Sequence, residues 1–143
     1  MDALNKHATT KLPELVNRVV LATALVVIGA SKLLLLGNEA PKGLMIAVPV
    51  LIAIGLLESA VGVAVLLRPR VAVAWTALSL SLAFLLGTVV LVGTMSDLDS
   101  CGCFGPWRAS AGVHLAVALG LVLMSLAVLA DVSRRRPVVR MAI

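Results

Sequence analysis

Charged and aromatic residues are scarce in this sequence. Of its 143 residues only 13% are Asp, Glu, Lys or Arg, 3% are aromatic, and tyrosine is absent. A typical soluble domain is about a quarter charged and about half apolar, whereas this chain is 61% hydrophobic. That balance excludes an ordinary water-soluble domain and indicates a membrane protein. Because base-stacking surfaces depend on aromatic side chains, we also expect no nucleic-acid partner.

Long apolar runs take the place of the missing charge. A transmembrane helix needs about 20 apolar residues, and four segments are long enough: about 19–36, 49–67, 71–94 and 111–130. These runs do not alternate as barrel strands do, and a backbone in lipid must satisfy its own hydrogen bonds, so we expect helices. The sequence therefore predicts an all-α, four-transmembrane-helix bundle, surrounded by membrane lipid, that forms a single membrane domain over residues 1–143.

The start of the second span admits two interpretations. Proline fits the first turn of a helix, where its missing N–H is not needed, and residues 49–67 alone are long enough to cross the membrane. We therefore place the helix start at Pro49 and the preceding segment PKGLMIAV at the outer membrane surface. The alternative is one longer helix that is kinked at Pro49.

Basic residues gather at one end of the predicted helices. They precede the first span, lie between the second and third, and follow the fourth: Lys6, Lys11, Arg18, Arg68, Arg70, Arg134, Arg135, Arg136 and Arg140. With four spans all these regions lie on one side, which the positive-inside rule makes cytoplasmic. We therefore predict an N-in/C-in protein of the bacterial cytoplasmic (inner) membrane, with residues 95–110 on the outer face.

Small residues recur at helical spacing in three spans. Lipid gives no hydrophobic drive for helices to associate, so small residues that let backbones approach are important at helix interfaces. The stripes are Gly55, Ser59 and Gly62; Ser79, Ala83 and Gly87; and Gly112, Ala116 and Gly120. Together they predict that the spans pack into a compact bundle.

Two charges interrupt the apolar runs, Lys32 in the first span and Glu58 in the second. Ionisable groups inside a membrane usually face the bundle interior or a wet cavity. Glu58 shares a helix face with Gly55 and Gly62, which favours an inward direction. One interpretation is that Lys32 and Glu58 pair or line one polar pocket. The alternatives are that Lys32 snorkels to the outer interface and that Glu58 is a protonated, hydrogen-bonded packing residue.

Both cysteines lie in the polar segment SDLDSCGCFGPWRAS, where Gly102 separates Cys101 from Cys103. Joining two sulfurs at this spacing requires a tight turn, which glycine permits. A strained disulfide is a better oxidant, whereas a structural disulfide closes a long loop with little strain. On the oxidising side of the membrane the pair is therefore predicted to be a redox couple. Inert thiols and a clip for a soft metal such as Cu(I) are the alternatives; a closed zinc site needs four ligands.

Three short segments resemble the MauE family of methylamine-utilisation membrane proteins, within the DoxX-like group: GASKL in the first span, LLES in the second and CGCFG before the fourth. The resemblance implies a four-helix membrane protein linked to thioredoxin-like proteins and to the maturation of disulfide-containing clients, without implying methylamine as substrate. It matches Cys101, Cys103, Lys32 and Glu58. Family members carry a basic residue followed by Asn near the start of the last helix. The nearby candidates in this chain are Arg108 and His114, without that Asn, so this position is not carried over.

The leading hypothesis is a membrane thiol–disulfide oxidoreductase. The disulfide of Cys101 and Cys103 would accept electrons from a thioredoxin-like partner outside the cytoplasm. A quinone would then take the electrons, by analogy with other four-helix disulfide generators. Arg108 or protonated His114 would stabilise a thiolate, and Phe104 would pack on the quinone ring or anchor the loop at the headgroups.

Proton transfer is the role expected for Lys32 and Glu58. Two other classes of function stay open. A non-enzymatic maturation or docking subunit would use the cysteine loop to hold a partner or a metal. A small proton-coupled exporter would exchange protons through Glu58, although the strong charge bias and the CGC loop argue against it. The sequence identifies no residues that bind a cofactor and, in the leading hypothesis, no metal site.

Overall fold

The computed structural model of the chain describes residues 2–34, 48–94 and 110–135, with side chains from Leu12 onward. These ranges contain four α-helices and no strand: α1 (Asp2–Leu33), α2 (Val48–Leu67), α3 (Val71–Thr94) and α4 (Ala111–Arg134). Each helix has a stretch that is long and apolar enough to cross a membrane. The prediction of an all-α, multi-pass membrane protein is thereby confirmed.

α1 begins well before its apolar run. The helix starts at Asp2 rather than near residue 19, and Pro13 lies inside it. Its early part contains Ala, Leu, Lys and Glu, which favour helix without being apolar as a group. The part that is able to span a membrane is Leu12–Leu33. The apolar run therefore marks the membrane-spanning portion of α1 and not the extent of the helix.

The ends of α2 and α4 also follow from local sequence. Pro49 lies in the first turn of α2, which starts at Val48, and a proline there removes no intrahelical hydrogen bond. The segment that would distinguish a surface stretch from a longer kinked helix lies outside the described residues. α4 continues beyond residue 130 to Arg134, where a cation interacts favourably with the helix C-terminus.

Neighbouring helices in the bundle run antiparallel. α1 packs closely on α2 and α3 on α4, whereas α1 with α4 and α2 with α3 are more loosely joined. The buried core lies in one half of the bundle and consists of Leu21, Ala22, Leu25, Ile28, Val61, Val65, Ala74, Ala77, Leu121 and Val128. Arg135 pairs with Glu14 of α1 and lies 3.7 Å from Asp131, so the start of α1 and the end of α4 meet at one end of the bundle.

Small residues bring α1 and α2 into backbone contact. A Cβ atom built on Gly55 would lie 2.6 Å from the carbonyl oxygen of Gly29, and one on Gly62 would lie 2.8 Å from that of Ala22. Real Cβ atoms essentially never approach other atoms this closely. The stripe predicted in the second span therefore packs as expected, and Gly29 is its counterpart on α1.

The stripes predicted for the third and fourth spans do not pack the bundle together. A Cβ on Gly87, Gly112 or Gly120 would meet nothing within 4 Å, and Ser79, Ala83 and Ala116 are exposed. That part of the prediction is wrong, because small residues recur by chance in a chain this rich in alanine and glycine. α3 and α4 meet instead at the buried hydroxyls of Ser81 and Ser125, whose oxygens are 3.0 Å apart.

Candidate functional site

An ion pair joins α1 to α2 inside the bundle. Lys32 lies in the last turn of α1 and Glu58 near the middle of α2. The Lys32 Nζ donates a hydrogen bond to the Glu58 Oε2 at 2.5 Å. The two residues are only 2% and 6% exposed. Lys32 therefore points into the bundle towards Glu58 rather than out to the interface. Of the interpretations raised by the sequence, the structure supports the ion pair and not a lysine that snorkels.

The glycine contact between α1 and α2 is what allows the two charges to meet. Gly29 precedes Lys32 by one helical turn, and Gly55 precedes Glu58 by one turn. A Cβ on Gly55 would also lie 3.0 Å from the Cβ of Lys32. The missing side chain at residue 55 thus leaves the space through which the lysine stem passes over α2.

A cavity of about 210 Å³ lies beside the ion pair, between α2 and α3. Its walls are largely apolar, and the lining residues are Lys32, Leu51, Ile54, Glu58, Leu80, Ala83, Phe84, Gly87, Thr88 and Leu91. The Thr88 hydroxyl donates to the carbonyl oxygen of Phe84 at 2.8 Å, so this donor is used within its own helix. Among the described lining residues, the ion pair is thus the main polar feature.

Phe84 completes the surroundings of the lysine. Its ring centroid lies 5.7 Å from the Lys32 Nζ, which is within the range of a cation–π interaction. The ammonium group is therefore held between a carboxylate from α2 and an aromatic face from α3. Side chains from three helices therefore fix the position of this one charge. A movement of α3 relative to α2 would change the surroundings of the ion pair.

His114 follows the cysteine segment in the sequence and lies at the start of α4. It is 2% exposed and lies in the first turn of α4. Its backbone N–H donates to the carbonyl oxygen of Ser110 at 3.1 Å, and its Nδ1 lies 3.0 Å from the same oxygen. Because a carbonyl oxygen only accepts, the Nδ1 carries the proton in this contact. The ring is therefore fixed against the start of α4.

The remaining predicted site residues lie outside the described residues: Cys101, Gly102, Cys103, Phe104 and Arg108. The structure thus brings together Lys32 and Glu58 and places His114 at the start of α4. Within the described ranges, no three His, Cys, Asp or Glu side chains converge where a metal ion could bind.

Sequence reasoning missed Phe84, the cavity and the partner role of Gly29. One signal for the glycine was available, because Gly29 stands three residues before Lys32 as Gly55 stands three before Glu58. No comparable signal marks Phe84, since a phenylalanine in a membrane span is ordinarily a packing residue. Its place beside the lysine follows only from how α3 lies against α2.

A second cavity, of about 290 Å³, lies between α1 and α4 at the end where Arg135 pairs with Glu14. Its lining includes Pro13, Asn17, Asp131 and Arg134. The side chains of the Arg135–Glu14 pair are 52% and 28% exposed, and exposed ion pairs add little stability, about 0–1 kcal/mol. We interpret this cluster as the polar rim of the bundle.

Comparison with known proteins gives one result. The family model described as methylamine utilisation protein MauE matches residues 10–131. No curated protein and no solved structure gave a match. The matched region includes all four membrane-spanning stretches almost completely, both cysteines and the Lys32–Glu58 pair, and it confirms the resemblance seen in the sequence.

Proposed function

Since this chain belongs to the MauE family, we propose that it is a membrane thiol–disulfide oxidoreductase. In this proposal Cys101 and Cys103 face the outside of the inner membrane. They exchange disulfides with a thioredoxin-like protein during the maturation of disulfide-containing clients. The observation that carries the proposal is the buried Lys32–Glu58 pair at the wall of a cavity. Ionisable groups buried within membrane-spanning helices are costly and mark functional sites in membrane proteins.

The exchange itself needs only thiol chemistry. A thiolate of the reduced partner attacks the Cys101 sulfur, the bond between Cys101 and Cys103 breaks, and Cys103 leaves as a thiolate. The second thiolate of the partner then attacks the partner's own sulfur in the mixed disulfide and releases Cys101. The partner has lost two electrons and two protons, and the pair of cysteines has gained them.

Reoxidation needs an acceptor of two electrons. In the proposal this acceptor is a membrane quinone, which takes two electrons and two protons from Cys101 and Cys103 and leaves as a quinol while the disulfide re-forms. The location of the ion pair supports this step. The cavity extends to Leu91, in the last turn of α3, and the cysteine segment follows α3 directly. In the proposal Lys32 and Glu58 hold and pass protons beside the acceptor.

Two features argue against the other classes of function. A docking subunit without electron transfer has no use for a buried ion pair, whose desolvation is unfavourable unless its geometry is excellent. A proton-coupled exporter needs a carboxylate that a cationic substrate can approach, whereas the Glu58 Oε2 is held by the Lys32 Nζ at 2.5 Å. The oxidoreductase uses both the pair and the cysteines.

The redox state of the cysteines in intact cells tests the proposal. After acid quenching and alkylation with a maleimide of added mass, Cys101 and Cys103 are expected to be mainly oxidised during respiration. They should become reduced when quinone synthesis is blocked. Thiols that stay reduced in respiring cells, or an oxidised pair that does not respond to quinone depletion, would contradict the proposal. A variant with both cysteines replaced by serine gives the unlabelled reference.

A further inference from the structure

The cavity between α2 and α3 has the size of one ring. An apolar cavity of about 150 Å³ is enough to bind benzene, whereas sites that enclose a whole drug-sized ligand measure about 300–1,000 Å³. At about 210 Å³ the cavity accommodates a six-membered ring with small substituents. A longer ligand would have to leave its tail outside. The leucines and isoleucine in the wall suit an apolar ring face.

Among the described residues, the charges at the polar end of the cavity are those of Lys32 and Glu58, which balance each other. An ammonium group has three N–H donors, and among the described residues the Lys32 Nζ uses one of them, on Glu58. The ammonium can therefore donate to an oxygen in the cavity while the ion pair stays intact. An anionic ligand would compete with Glu58, and a cationic one with Lys32, and either would leave a buried charge without its partner. A neutral ligand with an acceptor oxygen has neither cost.

The cavity opens towards the side of the bundle, between α2 and α3. Gly87 and Ala83 belong to its lining and are exposed, and a Cβ on Gly87 would meet nothing within 4 Å. α2 and α3 are also among the more loosely joined helix pairs. In a bundle that spans a membrane, exposed surface between two spans faces lipid. A ligand dissolved in the bilayer thus has a direct way in past Gly87.

We propose that this cavity binds the ring of a neutral, membrane-soluble carbonyl compound of the quinone class, which enters from the bilayer past Gly87 and accepts a hydrogen bond from Lys32. The tail of the compound stays in lipid. The choice of a quinone rests on the proposed function, because thiol oxidation needs an acceptor of electrons. The size, neutrality and direction of entry rest on the geometry of the cavity alone.

Binding of a radiolabelled short-tailed benzoquinone to the protein in nanodiscs tests the inference. In Gly87→Leu the new Cβ meets nothing within 4 Å and the added side chain fills the entrance, so we expect binding to weaken by about tenfold or more, equivalent to about 1.4 kcal/mol. Gly93→Leu is the matched control, since a Cβ there also meets nothing within 4 Å and the residue does not line the cavity. It should bind as the wild type does. If Gly87→Leu fails to fold, Ala83→Leu blocks the same opening.

The role of the ion pair is tested with the double variant Lys32→Met with Glu58→Gln, which removes both charges and leaves none unpaired. Loss of a hydrogen bond from a charged donor predicts binding about tenfold weaker. A fatty acid and an alkylamine of the same tail length should compete at least about tenfold less well than the neutral quinone. Equal binding by Gly87→Leu and wild type, or stronger binding of either charged probe, would overturn the inference.

Replacing both cysteines with serine separates this inference from the proposed function. The variant should bind the quinone as the wild type does, because none of the described residues that line the cavity is a cysteine. Quinone binding without thiol oxidation in the wild type would refute the oxidoreductase and leave the site in place. If a quinone oxidises the thiols but binds to Gly87→Leu as tightly as to the wild type, the proposed site would be refuted and the oxidoreductase would stand.

Discussion

Gly29 of α1 and Gly55 of α2 meet backbone to backbone, one helical turn before Lys32 and Glu58 in their respective helices. The carbonyl oxygen of each glycine occupies the space that a side chain on the other would need. Because the charged residues follow at the same spacing, the close approach of the two helices also sets the distance between ammonium and carboxylate. The packing of α1 on α2 and the ion pair between them therefore depend on each other.

Substitution at the glycine contact should weaken both packing and the ion pair. In Gly55→Ala the new methyl group would lie 2.6 Å from the Gly29 carbonyl oxygen and 3.0 Å from the Lys32 Cβ, so α1 and α2 must separate. Overpacking of this kind costs about 1–3 kcal/mol, to be measured as the free energy of unfolding in detergent. Gly93→Ala, where the methyl group meets nothing within 4 Å, should stay within about 0.5 kcal/mol of wild type. Equal effects of the two changes would mean that the helices do not meet as described.

The membrane-spanning helices were predictable from sequence because length and apolarity are properties of single segments. The boundaries of α3 and the inward direction of Glu58 depend on local pattern and agree with the structure. The start of α1 at Asp2 was missed, since a polar sequence with good helix formers carries no apolar signal. Which small residues pack was predictable only in part, because lipid-facing and helix-facing stripes look alike in sequence. The cavity beside Phe84 depends on the placement of three helices and has no signature in any one of them.

Lys32 and Glu58 are expected to be energetically coupled. Removal of one partner leaves the other buried without its counter-charge, whereas removal of both does not. The cycle of Lys32→Met, Glu58→Gln and the double variant should therefore show a coupling of roughly 0.5–3 kcal/mol in unfolding free energy. The double variant should be less destabilised than the sum of the two single changes. Strict additivity would show that the 2.5 Å contact does not stabilise the fold.

The same variants should separate stability from activity. Glu58→Gln keeps the shape of the side chain and an oxygen that can accept from Lys32, so the protein should fold. It should lose thiol-oxidising turnover because the amide, unlike a carboxyl group, does not take up and release a proton. Detergent-stable monodisperse protein with low turnover is the expected result for Glu58→Gln. Wild-type turnover in this variant would make Glu58 a packing residue only.

The orientation of the bundle is open to a direct chemical test. The basic residues at the ends of the spans predict both termini in the cytoplasm and the segment that holds Cys101 and Cys103 outside. After reduction of intact cells, a membrane-impermeant thiol reagent should therefore label both cysteines. A variant with a single cysteine introduced at Ser133, in the last turn of α4, should be labelled only after the membrane is broken. The reverse pattern would place the cysteines in the reducing compartment and remove the basis of the disulfide chemistry.

Single cysteine variants test the mechanism at its reacting atoms. Cys101→Ser and Cys103→Ser should each abolish turnover, while both variants still insert and fold, because a bond across one intervening residue closes almost no loop and so adds little stability. In Cys103→Ser the Cys101 thiolate can attack the disulfide of an oxidised thioredoxin-like protein, which breaks that bond and displaces one partner thiolate. We expect the resulting mixed disulfide to accumulate, because Cys103 is no longer there to attack the Cys101 sulfur and release the partner. The adduct should appear on a non-reducing gel, disappear with reductant and be absent from the double serine variant. Trapping by Cys101→Ser instead would make Cys103 the residue that the partner attacks. Unfolding of both single variants would make the bond structural, and normal turnover without either thiol would exclude a redox role for the CGC segment.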